Sequence, residues 1–194
     1  MRKNFFLAAS VAALLIGAGA TTANAGGTAN GVASLGCIPS GDAPHVACTV
    51  KGGVATVTVV SDSGDPAGAL VYTANNGVGN AAVSQINQLG FSYSGSLAPR
   101  LNIPVTSGAG GYVFVEGFSC NDGFGNVAVL TNPNCPVQYD GSVYNNWQQF
   151  VAQHPTVQVV ANDVNQPYII QDTTGSGTIS NVKLGKSLTG KAAK

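Results

Sequence analysis

Glu116 is the one acid in an otherwise apolar run, Tyr112-Val113-Phe114-Val115-Glu116-Gly117-Phe118. Side chains of a strand alternate between its two faces, so Tyr112, Phe114 and Glu116 are expected on one face. Two rings beside a carboxylate suit a ligand surface, because rings cover apolar C–H groups and the polar atoms exchange hydrogen bonds with hydroxyls. Trp147 completes the set of candidate ligand contacts, with a packing role between helix and sheet as the competing use of its ring. Sunk in a groove, Glu116 would have a raised pKa and could act as a general acid, with a second acid from Asp122, Asp140, Asp163 or Asp172 completing a glycosidase pair. Facing water at a sheet edge, or paired with Arg100, it would do neither.

Other chemistry has less support. His45 lies between Pro44 and Val46, and His154 stands at the end of a helical pattern, where a C-cap role accounts for it. No G-x-S-x-G elbow is present, and no glycine-rich turn with a phosphate-binding lysine occurs. Asp62, Asp65, Asn121 and Asp122 put oxygen ligands in turn-like segments, so calcium is the metal such loops would take, although none has the twelve-residue EF-hand pattern. Zinc would want close Cys or Cys/His spacing, which Cys37, Cys48, Cys120 and Cys135 lack.

Those cysteines follow an export signal. Arg2 and Lys3 precede an apolar run from Phe5 to Ala20, and Ala23-Asn24-Ala25 is a small-residue cleavage site, so residues 1–25 read as a removable signal peptide. An even number of cysteines in an exported chain reads as two disulfides, with three pairings open. Cys37–Cys48 and Cys120–Cys135 are favoured, because each pair flanks a short turn-rich segment. The protein is therefore expected to be secreted or extracellular, or held at the cell envelope. The absence of any N-x-Ser/Thr acceptor leans the origin toward a bacterium.

Composition narrows the partners. The chain has 194 residues, with Lys and Arg together 8 and Asp and Glu together 8. Without the signal the balance is about −2, which gives electrostatic capture of nucleic acid no basis. Charged residues are 8% of the chain, against a usual value of about 25%. Solubility then rests on Asn, Gln, Ser and Thr, a surface suited to neutral, hydrogen-bonding partners.

Short strands must position these groups. Val54–Val60 is the clearest, and with Ala69–Thr73 it is expected to form a hairpin. Residues 81–89 read as a short turn feeding a strand through Phe91-Ser92-Tyr93-Ser94. Arg100–Val105 is extended, with Pro104 favouring a sheet edge. The Tyr112–Phe118 strand should be central and carry Cys120 at its end, and Val127–Leu130 follows. One helix is expected from Ser142 to Gln153, capped by Ser142 and stopped by Pro155. Three further strands follow, at Val157–Val160, Pro167–Gln171 and Thr178–Leu184, the last two as a hairpin.

The pattern predicts an all-β fold, a secreted β-sandwich or jelly-roll-like domain with one short helix. Residues 26–36 would be a flexible N-terminal arm, 37–185 a single disulfide-stabilised β domain and 186–194 a lysine-containing C-terminal tail. The expected function is non-catalytic binding of a neutral polysaccharide or wall polymer at the cell envelope, or of an extracellular protein, with no transmembrane segment in the mature chain. The alternatives are a structural or adhesive self-assembling protein and a secreted hydrolase using Glu116. No cofactor is expected beyond calcium.

Overall fold

Alternation of buried and open positions shows which residues build the core. Along Val54–Val59, Ala55, Val57 and Val59 are buried while Val54 and Thr56 face water. Along Tyr112–Glu116, Val113 and Val115 are buried and the intervening residues are not. The computed structural model describes residues 34–39, 45–60, 69–74, 78–106, 111–160 and 165–186. The expected signal peptide and the region through residue 33 lie outside them.

The strands are β1 (Ser34–Pro39), β2 (Val46–Lys51), β3 (Val54–Val59), β4 (Ala69–Ala74), β5 (Ile86–Tyr93) and β6 (Arg100–Pro104). They continue with β7 (Tyr112–Glu116), β8 (Asn126–Ala128), β9 (Val137–Tyr139), β10 (Ser142–Tyr144), β11 (Tyr168–Gln171) and β12 (Gly175–Lys186). Two antiparallel sheets result, a seven-stranded one in the order β1-β4-β11-β6-β7-β9-β10 and a five-stranded one in the order β2-β3-β12-β5-β8. Their inner faces contribute to one hydrophobic core, in a sandwich-like arrangement. Both favoured disulfides are present, Cys37–Cys48 and Cys120–Cys135. The first ties β1 of one sheet to β2 of the other.

Several local expectations are corrected. β3 and β4 are not a hairpin, and neither are β11 and β12; each pair is split between the two sheets. Both connections are turn-rich, but local turn chemistry cannot tell a hairpin from a crossover when each strand has an apolar face to bury. β6 is an inner strand, flanked by β11 and β7, despite Pro104. The proline is tolerated because its pairing with β11 stops at Asn102, so its missing N–H falls beyond that ladder. Its carbonyl accepts Val160 N at 2.8 Å. Val157–Val160 forms no strand and makes isolated bridges from Gln158 to Ala82 and from Val159 to Val105.

Among the described residues there are two short α-helices rather than one, α1 (Gly117–Cys120) and α2 (Trp147–Gln153), besides a single 3-10 turn at Val83–Gln85. Four residues cannot show a helical period, which hides α1 in the sequence, and Cys120 ends this turn rather than β7. The expected helix start at Ser142 is replaced by β10, which pairs with β9 around Asp140-Gly141. Both turn residues have positive φ, 49° and 75°, as an Asp-Gly hairpin turn demands. The cap is Asn146, whose Oδ1 accepts Gln149 N at 2.9 Å. Domain edges shift too: Ser34–Gly36, assigned to the arm, already belongs to β1, and Lys186, assigned to the tail, ends β12.

Candidate functional site

The alternation of β7 that sends Val113 and Val115 into the core turns Tyr112, Phe114 and Glu116 to the outer face of the seven-stranded sheet. Register fills in their neighbours. On β6, Arg100, Asn102 and Pro104 stand opposite Glu116, Phe114 and Tyr112. On β11, Tyr168 stands opposite Asn102 and Ile170 opposite Arg100, while on β9 Gln138 stands opposite Phe114. The outer face thus carries aromatic, amide and charged groups from four strands.

These groups are mutually fixed. The Tyr112 and Phe114 rings stack at 5.9 Å and 19°, and Tyr168 meets Tyr112 edge-on at 6.2 Å. The Arg100 guanidinium carbon lies 5.3 Å from the centre of the Phe114 ring, a cation–π contact. Arg100 Nε donates to Asn102 Oδ1 at 3.1 Å, and its terminal nitrogen pairs with Asp172 Oδ2 at 3.1 Å. Asn102, only 1% exposed, also hydrogen-bonds the Tyr168 hydroxyl. Burial pushes the Tyr168 phenol up and the neighbouring Tyr112 adds to it, against the Asn102 hydrogen bond and the Arg100 charge, which pull it down.

Glu116 is different from its neighbours. Burial raises its pKa above the ordinary carboxylate value, Arg100 partly opposes this and Asp172 adds to it. Its carboxylate forms no ion pair within 4.0 Å among the described residues, since Arg100 is engaged with Asp172 instead.

Trp147 is not brought to this face. It is 3% exposed and packs against Phe150 at 5.3 Å inside α2 and the core. Of the four oxygen ligands expected for calcium, Asp62 and Asp65 lie outside the described residues. Asn121 and Asp122 occupy the loop after α1, where Asn121 Oδ1 accepts Gly123 N at 2.7 Å. Asp122 Oδ1 accepts Phe124 N at 2.9 Å and Asn126 N at 3.1 Å, and Oδ2 accepts Asn126 Nδ2 at 2.9 Å. These bonds, the Asn126 side chain foremost, hold the Asp122 carboxyl below its ordinary pKa. The loop displays Phe124 at its tip, 88% exposed. His154 does cap α2, its backbone N–H donating to Phe150 O, while its ring Nε2 lies 2.6 Å from the Tyr144 hydroxyl rather than near Glu116.

Nothing local marks Asn102 and Gln138 as companions of Glu116, whereas Asp172 is one of four acids expected as its candidate partner and Arg100 its expected ion-pair partner. Arg100-Leu101-Asn102 does alternate polar and apolar, which is the local signal for a shared outward face. Which strand stands beside which is not local, so the juxtaposition itself had no signal. Comparisons with family models, with curated proteins and with solved structures return no match.

Proposed function

We propose that the outer face of the seven-stranded sheet is a non-catalytic carbohydrate platform, binding a neutral polysaccharide or wall polymer at the cell envelope. The observation that carries this reading is the clustering of Tyr112, Phe114 and Tyr168 on one face with Gln138 and Glu116 beside them, the buried Asn102 holding Arg100 and Tyr168 in place behind them. Rings take the apolar C–H face of a sugar, and amides, phenols and a carboxylate meet its hydroxyls in both donor and acceptor senses. Export through the signal peptide and life in an oxidising compartment fit the two disulfides. No helix among the described residues is long and apolar enough to cross a membrane.

The test is co-sedimentation of the purified protein with insoluble envelope at about 0.05 M and about 0.5 M salt, where the screening length falls from roughly 14 Å to roughly 4 Å. Pelleting that needs envelope and survives high salt is expected. Loss at high salt would move the contact to the lysines near the C-terminus, and no pelleting at either salt would overturn the platform.

The hydrolase reading retains one specific observation. Glu116, its pKa raised by burial, and Asp172 both interact with Arg100, which puts two carboxylates on one side of the sheet. Release of new reducing ends from a soluble glycan, abolished in Glu116→Gln, would establish it. Binding without release keeps the platform non-catalytic.

A further inference from the structure

Every ionisable partner on this face is committed except one. Arg100 is held by Asp172 at 3.1 Å and by Asn102 at 3.1 Å, and its flat side lies over Phe114. Glu116 stands directly opposite Arg100 in the β6–β7 ladder, on the same outward face as the stacked Tyr112 and Phe114 rings, with no ion pair within 4.0 Å among the described residues. One cation against two carboxylates leaves this corner with a net negative charge. The aromatic faces add to the bias, since ring quadrupoles attract cations and, among the described residues, none lies over Tyr112 or Tyr168. An approaching anion meets an arginine already neutralised.

Resting on the platform reading above, we infer that the Glu116 corner selects the ligand's charge: it takes the protonated free amine of an amino-sugar polymer and turns away uronic-acid polymers. The ammonium seats on the Glu116 carboxylate while the sugar ring lies over Tyr112 and Phe114. An acetylated amine, which carries no charge, loses the first contact and keeps the second. Partial burial of Glu116 strengthens the discrimination, because water screens the pair less than it would at an open surface.

The experiment measures retention of the protein on one amino-sugar polymer in two forms, fully acetylated and extensively deacetylated, and on a polyuronate, at about pH 6 and again at about pH 6.5, because burial raises Glu116 above the ordinary carboxylate range. The deacetylated form is expected to bind about tenfold more tightly than the acetylated form, the factor expected of a charge-assisted hydrogen bond. Glu116→Gln should equalise the two forms, and a cooperative thermal unfolding transition shows that the variant is folded. Lys51→Glu, on the exposed edge strand β2 of the other sheet, makes the whole protein more acidic and should leave the ratio unchanged. Equal binding of the two forms, preference for the polyuronate, or a ratio that survives Glu116→Gln or grows with Lys51→Glu would overturn the inference while leaving the platform standing. Failure of every polymer to bind would overturn the platform itself.

Discussion

Arg100 gives its ion pair to Asp172, at 3.1 Å, and not to Glu116, its direct partner across the β6–β7 ladder. Asp172 is well placed because the residue before it is anchored: Gln171 is fully buried, its Oε1 accepts Ala98 N at 2.8 Å and its Nε2 donates to Thr173 O and Oγ1, both at 2.8 Å. The consequence is a half-buried carboxylate whose charge the folded protein does little to stabilise.

Glu116→Gln should therefore stabilise the protein at neutral pH. Burial raises the pKa of Glu116 above its ordinary 4.5, so the folded state favours the protonated form. That contribution is fully present below the unfolded pKa and is lost as pH rises through the raised folded value. Thermal unfolding of both proteins between about pH 4 and about pH 8 checks this, with the variant's advantage growing as pH rises across the titration of Glu116. A less stable variant at neutral pH would mean that the attraction to Arg100 outweighs burial.

Tyr112→Ala and Trp147→Ala should separate binding from folding. Tyr112 is half-buried on the outer face, so its loss should abolish polymer retention with a modest fall in Tm. Trp147 is enclosed by the core, and its truncation should cost about 3–5 kcal/mol of stability. Denaturant unfolding alongside the sedimentation assay reads both effects.

Gln171→Leu fills nearly the same space but leaves the partly buried Ala98 N–H without its acceptor. A loss of about 1–3 kcal/mol is expected. Polymer binding should weaken with it as the turn holding Asp172 loosens, and chemical denaturation gives the first quantity directly.

Gly177→Ala should destabilise although alanine suits a strand better than glycine. A Cβ there would overlap the Ser94 carbonyl oxygen, where β12 runs closely past the segment after β5. The expected cost is about 1–3 kcal/mol. Ser176→Ala next door is exposed and should fall within about 0.5 kcal/mol of the parent.

Replacing Cys37 and Cys48 together by serine removes the bridge between the two sheets. The short loop it closes corresponds to about 3 kcal/mol in the chain-entropy account. Equilibrium unfolding compared with the parent under the same buffer tests that figure.

Alternation within single segments determined much of this protein without any structure. Val54–Val59 and Tyr112–Glu116 announce their buried faces in their own residues, because the period of two is a property of each strand's backbone. The same period put Tyr112, Phe114 and Glu116 together, and short turn-rich spacing picked the two disulfides. What only the tertiary structure decided is pairing over distance. Whether β3 goes on to a hairpin or crosses to the other sheet, and whether β11 and β12 lie side by side, depends on which apolar faces can be covered at once. Arg100, Asn102, Tyr168 and Asp172 reach the neighbourhood of Glu116 only through the β11-β6-β7 order. Trp147 leaves it because the core needed a large ring beneath α2. An ion pair is a relation between distant segments, so a sequence that names Glu116 and Arg100 cannot say that the arginine belongs to Asp172.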